Sequence, residues 1–256
     1  MHRGWLAAGV LFGVVLAGVA PAHAWSARTR MRMADDALKL MPRSLREVLR
    51  EHREELVRGA VEPMTAEGSP PHRPPWDDGS LPASIAGRSR AVSEAVIGQR
   101  PFSEVARRFG ELAHYVADAG FPPNAGGTGD EWRYRHFTDL VDNRLDRLRF
   151  VFYGHGETNL ERGNPEAFVD TVVQLARAQD VDLARAYAAA GDPPEPSAFD
   201  DRSVPFAIAS LAYSRTTTSI VRAWIDAWRR SGGDMTRIPY WKGSPDPMDD
   251  EGERLP

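Results

Sequence analysis

His114 and Asp118 stand four residues apart in the stretch "LAHYVADAGFPPNAG". On a helix, side chains at this spacing are neighbours, with Cβ atoms about 5–6 Å apart. An imidazole nitrogen and a carboxylate oxygen are both zinc ligands, so the pair is suited to holding a metal. The alternative is a surface pair worth a few tenths of a kcal/mol. The metal reading gains from the context: Ala113, Val116 and Ala117 make the surroundings apolar, and a proline turn follows at once. Other chemistries find little support. The chain has no glycine-rich phosphate loop, no GxSxG elbow and no HExxH motif. The glycines of "AGGTGDE" precede no buried strand and read as a flexible linker.

Helices must position this pair, because helical periodicity dominates from Ala27 onward and no period-2 strand stands out. Residues 27–41 form a first amphipathic helix, stopped by Pro42, and residues 44–57 a second. "VEPMTAEGSPPHRPPWDDGSLP" is dense in proline and glycine and reads as a loop. Helices are expected again over residues 85–97, 102–119, 133–152, 165–190 and 204–230, about seven in all. Pro101 leads into the segment 102–119, since proline is accepted in a first turn. "GDPPEPSAFDD" connects the last two, and residues 232–256 read as a polar tail, extended or partly disordered. No repeat and no second domain are evident.

The 256-residue chain opens like a secretory signal: Arg3, the apolar run "WLAAGVLFGVVLAGVA", then the small-residue box "AHA". Cleavage after Ala24 would make Trp25 the mature N-terminus. The apolar run is short for a membrane span, which needs about 20 apolar residues. The expected product is therefore secreted or periplasmic, with no stable membrane span. Without Arg3 the chain carries 31 basic and 36 acidic residues, a formal charge of −5, so nothing points to nucleic acid or anionic membrane. It has no cysteine, which excludes disulfides and thiolate metal sites. Stability must come from apolar burial alone, in one sizeable core or at most two small ones.

The motif "HYVADAGFPPNAG" resembles a segment of the bacterial zinc-dependent phospholipase C and single-strand-specific zinc nuclease family. Four further stretches match in the same order: the tryptophan at position 25, "ALKLMP", "LREVLREHREELVRGAVEP" and "FAIASLAYSRTTTSIVRAW". The resemblance spans residues 25–230. It implies an all-α, multi-helix single domain with a three-zinc cleft. It also implies that Trp25 binds zinc through a free α-amino group and its carbonyl, and that His72, His114 and Asp118 are ligands.

The departures are as informative. Arg30, Met64, Asn124, Tyr134 and Thr138 stand where the family has ligands. His136 and Asp139 are shifted by about two residues, near 200° around a helix, and are expected to face away, with His136 solvated. His155 and His52 match no ligand position and read as structural or solvated. The surviving metal set is Trp25, His72, His114 and Asp118, with Asp77 as a further donor to consider. At most one tightly bound zinc is expected, and no catalytic residue is assigned. The resulting expectation is an exported, non-catalytic or altered descendant that binds a phosphoester or lipid-like small ligand. The competing expectation is an active zinc-dependent phosphodiesterase using one or two metals. Arg30 is expected to replace a metal as counter-ion of Asp118, in a pair that is bidentate if the geometry allows.

Overall fold

In a computed structural model of the chain, residues 24–66, 70–126, 131–191 and 199–240 are described. Among them there are helices, turns and extended segments but no strand. In chain order the helices are α1 (Ala27–Leu38), α2 (Arg43–Glu51), α3 (Arg53–Val61), α4 (Pro63–Ala66), α5 (Leu81–Ile97), α6 (Phe102–Ala119), α7 (Pro122–Gly126), α8 (Glu131–Asn143), α9 (Thr158–Glu161), α10 (Pro165–Ala190) and α11 (Val204–Arg230). Tight 3-10 turns cover Pro70–His72, Pro75–Asp77 and Leu145–Arg147.

α6 is the central element. From Phe109 to Ala119 every one of its residues is buried, so the helix is enclosed on all sides and its polar members must find internal partners. α3 lies against it at backbone contact. A Cβ on Gly59 would collide with the carbonyl of Arg107, and one on Gly110 with the carbonyl of Leu56. α5 and α11 cover other faces of α6, and the indole Nε1 of Trp224 on α11 donates to the carbonyl of Phe109 at 2.9 Å. α1 starts on Ser26, whose Oγ accepts from Thr29 N at 3.1 Å. Asp142, at the end of α8, accepts from the hydroxyls of Ser26 at 2.5 Å and Thr29 at 2.8 Å, which ties α8 to the start of α1.

Three of the expected segments, 102–119, 165–190 and 204–230, match α6, α10 and α11 end to end. The other differences have local causes. The helix expected over 44–57 is two helices, because His52 leaves the helical region at φ −105° and ψ 34° and turns α3 toward α6. The helix expected over 133–152 ends at Asn143, and the chain from 148 to 153 leaves the helix and runs along α11. The expected loop over 61–82 contains α4, two 3-10 turns and the first turn of α5. The expected tail begins with packed chain: Ile238 is buried, and Trp228 Nε1 donates to the carbonyl of Asp234 at 3.0 Å. The signal segment, the greater part of the "AGGTGDE" and "GDPPEPSAFDD" linkers, and the tail beyond Tyr240 lie outside the described residues.

Candidate metal centre

His114 and Asp118 project from one face of α6, one turn apart and fully enclosed, with side chains 0% and 2% exposed. His72 reaches them from the 3-10 turn that ends on it. Its ring stacks on Tyr115 at 5.1 Å between centroids, and Asn124 fastens its backbone by donating from Nδ2 to the carbonyls of His72 at 2.8 Å and Asp118 at 3.0 Å. Asn124, expected only as a lost ligand, is thus the clamp that joins the turn to the end of α6. His72 keeps 18% of its side chain exposed and marks the way out to solvent.

Proton placement follows from the partners. His114 Nδ1 lies 2.9 Å from the carbonyl of Ala60, which only accepts, so Nδ1 carries hydrogen. Burial pushes the His114 imidazole below its ordinary value, and the charge of Arg30 adds to this against the pull of Asp118. Nε2 is then a lone pair. Burial alone would raise the Asp118 carboxyl, but Arg30, His114 and His72 together hold it well below the carboxylate range. His72 Nδ1, 2.7 Å from Asp118 Oδ2 and 3.2 Å from His114 Nε2, is therefore the donor between two acceptors.

One proton sits among three atoms able to ligate a cation: His72 Nδ1, His114 Nε2 and Asp118 Oδ2. Among the described residues these three side chains form the group suited to a metal, their donor atoms all within 4.8 Å of one another. A tetrahedral zinc with bonds of about 2.0–2.1 Å spaces its ligand atoms about 3.3 Å apart. The Asp118–His114 separation of 3.3 Å and the His72–His114 separation of 3.2 Å fit that figure, and the His72–Asp118 contact must open. Binding at His72 Nδ1 would move its hydrogen to Nε2, which is buried with no partner among the described residues. One zinc fits, with the penalty of an unsatisfied N–H.

Arg30 occupies the adjoining space. Its side chain is 2% exposed. Nε donates to the carbonyl of Trp25 at 2.9 Å, one terminal nitrogen to the carbonyl of His114 at 2.9 Å, and the other to Asp118 Oδ1 at 2.5 Å. The expected counter-ion pair is present. It is not bidentate on the carboxylate: Nε and the other terminal nitrogen donate instead to two backbone carbonyls.

Trp25 is close by but outside the three-donor group. Its indole Nε1 donates to the carbonyl of Ala117 at 2.9 Å and its ring meets Phe121 edge-on at 5.0 Å, while its own carbonyl is taken by Arg30. Thr138 Oγ1 approaches the carbonyl of Ala24 at 3.3 Å. The Tyr134 hydroxyl is pushed far up by burial and by Asp118, so it remains a neutral phenol and not an anionic ligand. Asp77 is paired with Arg73 at 3.6 Å and does not join the group. His136 does face away, but it is not solvated. It bonds Tyr187 Oη at 2.8 Å and stacks on Trp132. His155 is structural, with Nε2 donating to the carbonyl of Pro239 at 2.7 Å.

No protein-family model and no curated protein matches the sequence. Solved structures do match. The Clostridium perfringens alpha-toxin from avian strain SWCP superposes with a TM-score of 0.62 at 13% identity, over 84% of this chain and 66% of the toxin. The alpha-toxin of Clostridium absonum gives 0.59 at 10% identity, over 82% of this chain and 64% of the toxin. The fold is the same. It is the all-α fold of the zinc-dependent phospholipase C type that the sequence resemblance implied, and this chain spans about two thirds of each toxin's length. Among the described residues no helix is long and apolar enough to cross a membrane.

Proposed function

We propose that this protein is an exported descendant of the phospholipase C fold that binds a phosphoester or lipid-like small ligand without hydrolysing it. Its metal set is reduced to one zinc site, made by His72, His114 and Asp118. The observation that carries the proposal is the Arg30–Asp118 pair: a fixed guanidinium, donating to Asp118 at 2.5 Å, stands in for a metal as the carboxylate's counter-ion.

Hydrolysis by a multi-metal site depends on cations that clamp the attacking and leaving oxygens from both sides. Here one side of Asp118 is committed to Arg30 and the other to the two histidines. A zinc ion held by the three donors would supply a Lewis-acidic centre with an open position for a phosphoester oxygen. Arg30 fixes the charge and orientation of Asp118, Ala60 fixes the tautomer of His114, and Asn124 holds His72 in place. These groups support binding and provide no second cation for the leaving group. Export by cleavage after Ala24 belongs to the same proposal, as does a domain running from residue 25 to 231.

The competing reading, a one-metal phosphodiesterase, draws on the exposed side of His72, through which water and substrate would enter. Incubation of the zinc-loaded protein with a short-chain phosphatidylcholine separates the two. Saturable binding without release of phosphocholine is expected. Chelator-sensitive turnover that is lost in His114→Ala would establish the enzyme instead.

A further inference from the structure

A second cleft, of about 740 Å³, lies between the outer side of α1 and the extended segment 148–154, with Arg32, Lys39, Leu148, Phe150, Phe152 and Tyr240 in its walls. From Arg149 onward the segment is bonded along the edge that faces α11. Val151 N donates to Ser214 Oγ at 3.1 Å and Tyr153 N to Thr218 Oγ1 at 3.3 Å. The carbonyl of Arg149 accepts from Ser214, and those of Tyr153 and Gly154 accept from Arg222. The match is one of pitch: four residues of helix rise about 6 Å and two residues of strand about 6.6 Å. From Arg149 to Tyr153 the odd-numbered residues therefore turn their backbone groups to α11, and Gly154, at φ 87°, leaves this run.

By the same alternation Leu148, Phe150 and Phe152 turn theirs the other way, toward α1 and the cleft. The carbonyl of Leu148 accepts from Arg32 on α1 at 3.1 Å. The N–H and C=O groups of Phe150 and Phe152 have no partner among the described residues. An alternating row of donors and acceptors is the template for another strand. Beside it, Val151, Tyr153 and Tyr240 are 54%, 47% and 50% exposed.

The charges in the cleft are unevenly matched. Asp36 is held by Tyr213 Oη at 2.7 Å and Lys39 at 2.9 Å, and Asp146 by Arg28 at 3.2 Å. The guanidinium of Arg149 is exposed and has no partner among the described residues. We propose that this cleft binds an extended polypeptide segment by strand addition to Phe150 and Phe152. Apolar guest side chains lie on the aromatic walls and an acidic one meets Arg149. A small amphiphile would fill the volume but leave the backbone row unpaired, which is why a strand is favoured.

The test uses an acetylated, amidated Val-Glu-Val-Glu-Val peptide titrated into the full chain, with amide exchange read at Phe150 and Phe152. Saturable binding is expected, with slowed exchange at both amides. An analogue N-methylated at every amide, which keeps the side chains but cannot donate, should bind at least tenfold more weakly. Arg149→Glu, a change at an exposed position, should weaken the unmodified peptide by a similar factor. Equal binding of the methylated analogue, no effect of Arg149→Glu, or no peptide binding would each overturn the proposal. Decanoate binding without peptide binding would make the cleft a site for small amphiphiles.

Discussion

At the scale of single residues, the site is governed by where charge is neutralised. Asp118 is buried, and a buried carboxylate without a partner is costly. In this chain Arg30 supplies the partner directly, and it also donates to the Trp25 and His114 carbonyls. Removing one member of a buried pair typically costs about 3–5 kcal/mol. Arg30→Ala is therefore expected to lower unfolding stability by that amount in chemical denaturation. The double variant Arg30→Ala with Asp118→Asn should recover part of it, since the stranded charge is then gone. A loss below about 1 kcal/mol for Arg30→Ala would show that the pair contributes no more than a surface ion pair. His114 and Asp118 were legible in the sequence because their spacing and apolar surroundings are local. The clamp made by Asn124 was not, since its two acceptors, the carbonyls of His72 and Asp118, meet only when the 3-10 turn folds back on α6.

At the scale of elements, the orientation of His114 depends on how closely two helices approach. Its Nδ1 donates to Ala60 on α3, and α3 reaches α6 only because Gly59 and Gly110 leave room for backbone contact. Gly110→Ala should force the helices apart, cost about 1–3 kcal/mol as overpacking does, and weaken zinc binding by loosening His114. Gly87→Ala on α5 is the control, because a Cβ there meets only the tip of Arg90 at 4.0 Å. It should stabilise the helix by up to about 1 kcal/mol, and thermal melts with zinc titrations compare the two. The long helices α6, α10 and α11 could be read in the sequence from prolines and turn residues at their ends. The break at His52 carries no glycine or proline to announce it. The extended run after Asn143 was misread as helix because "RLRFVF" satisfies an apolar pattern. The hydroxyls of Ser214 and Thr218 that straighten it lie more than sixty residues further along the chain.

At the scale of the whole molecule, acidification should destabilise the fold through the buried His114 and the partly buried His136 and His155. Burial is the largest cause holding His114, His136 and His155 below their ordinary value of 6.5. Each is neutral in the folded protein and takes up a proton more readily when unfolded. The stability they contribute is complete above about pH 6.5 and falls as the pH drops from there toward their folded values, by up to about 1.4 kcal/mol per pH unit for the enclosed His114 and by less for His136 and His155, which solvent screens. Melting temperatures of chelator-treated protein between pH 8 and pH 5 should therefore be flat at first and then decline below about 6.5. A melting temperature that rises on acidification would contradict this. The proposal of a single zinc site, with Arg30 in place of a further metal as counter-ion of Asp118, is best checked by native mass spectrometry of the purified protein after zinc loading. No more than one tightly held zinc per chain is expected, lost in both His114→Ala and Asp118→Ala and retained in His136→Ala. Two or more tightly held zinc ions per wild-type chain would contradict it.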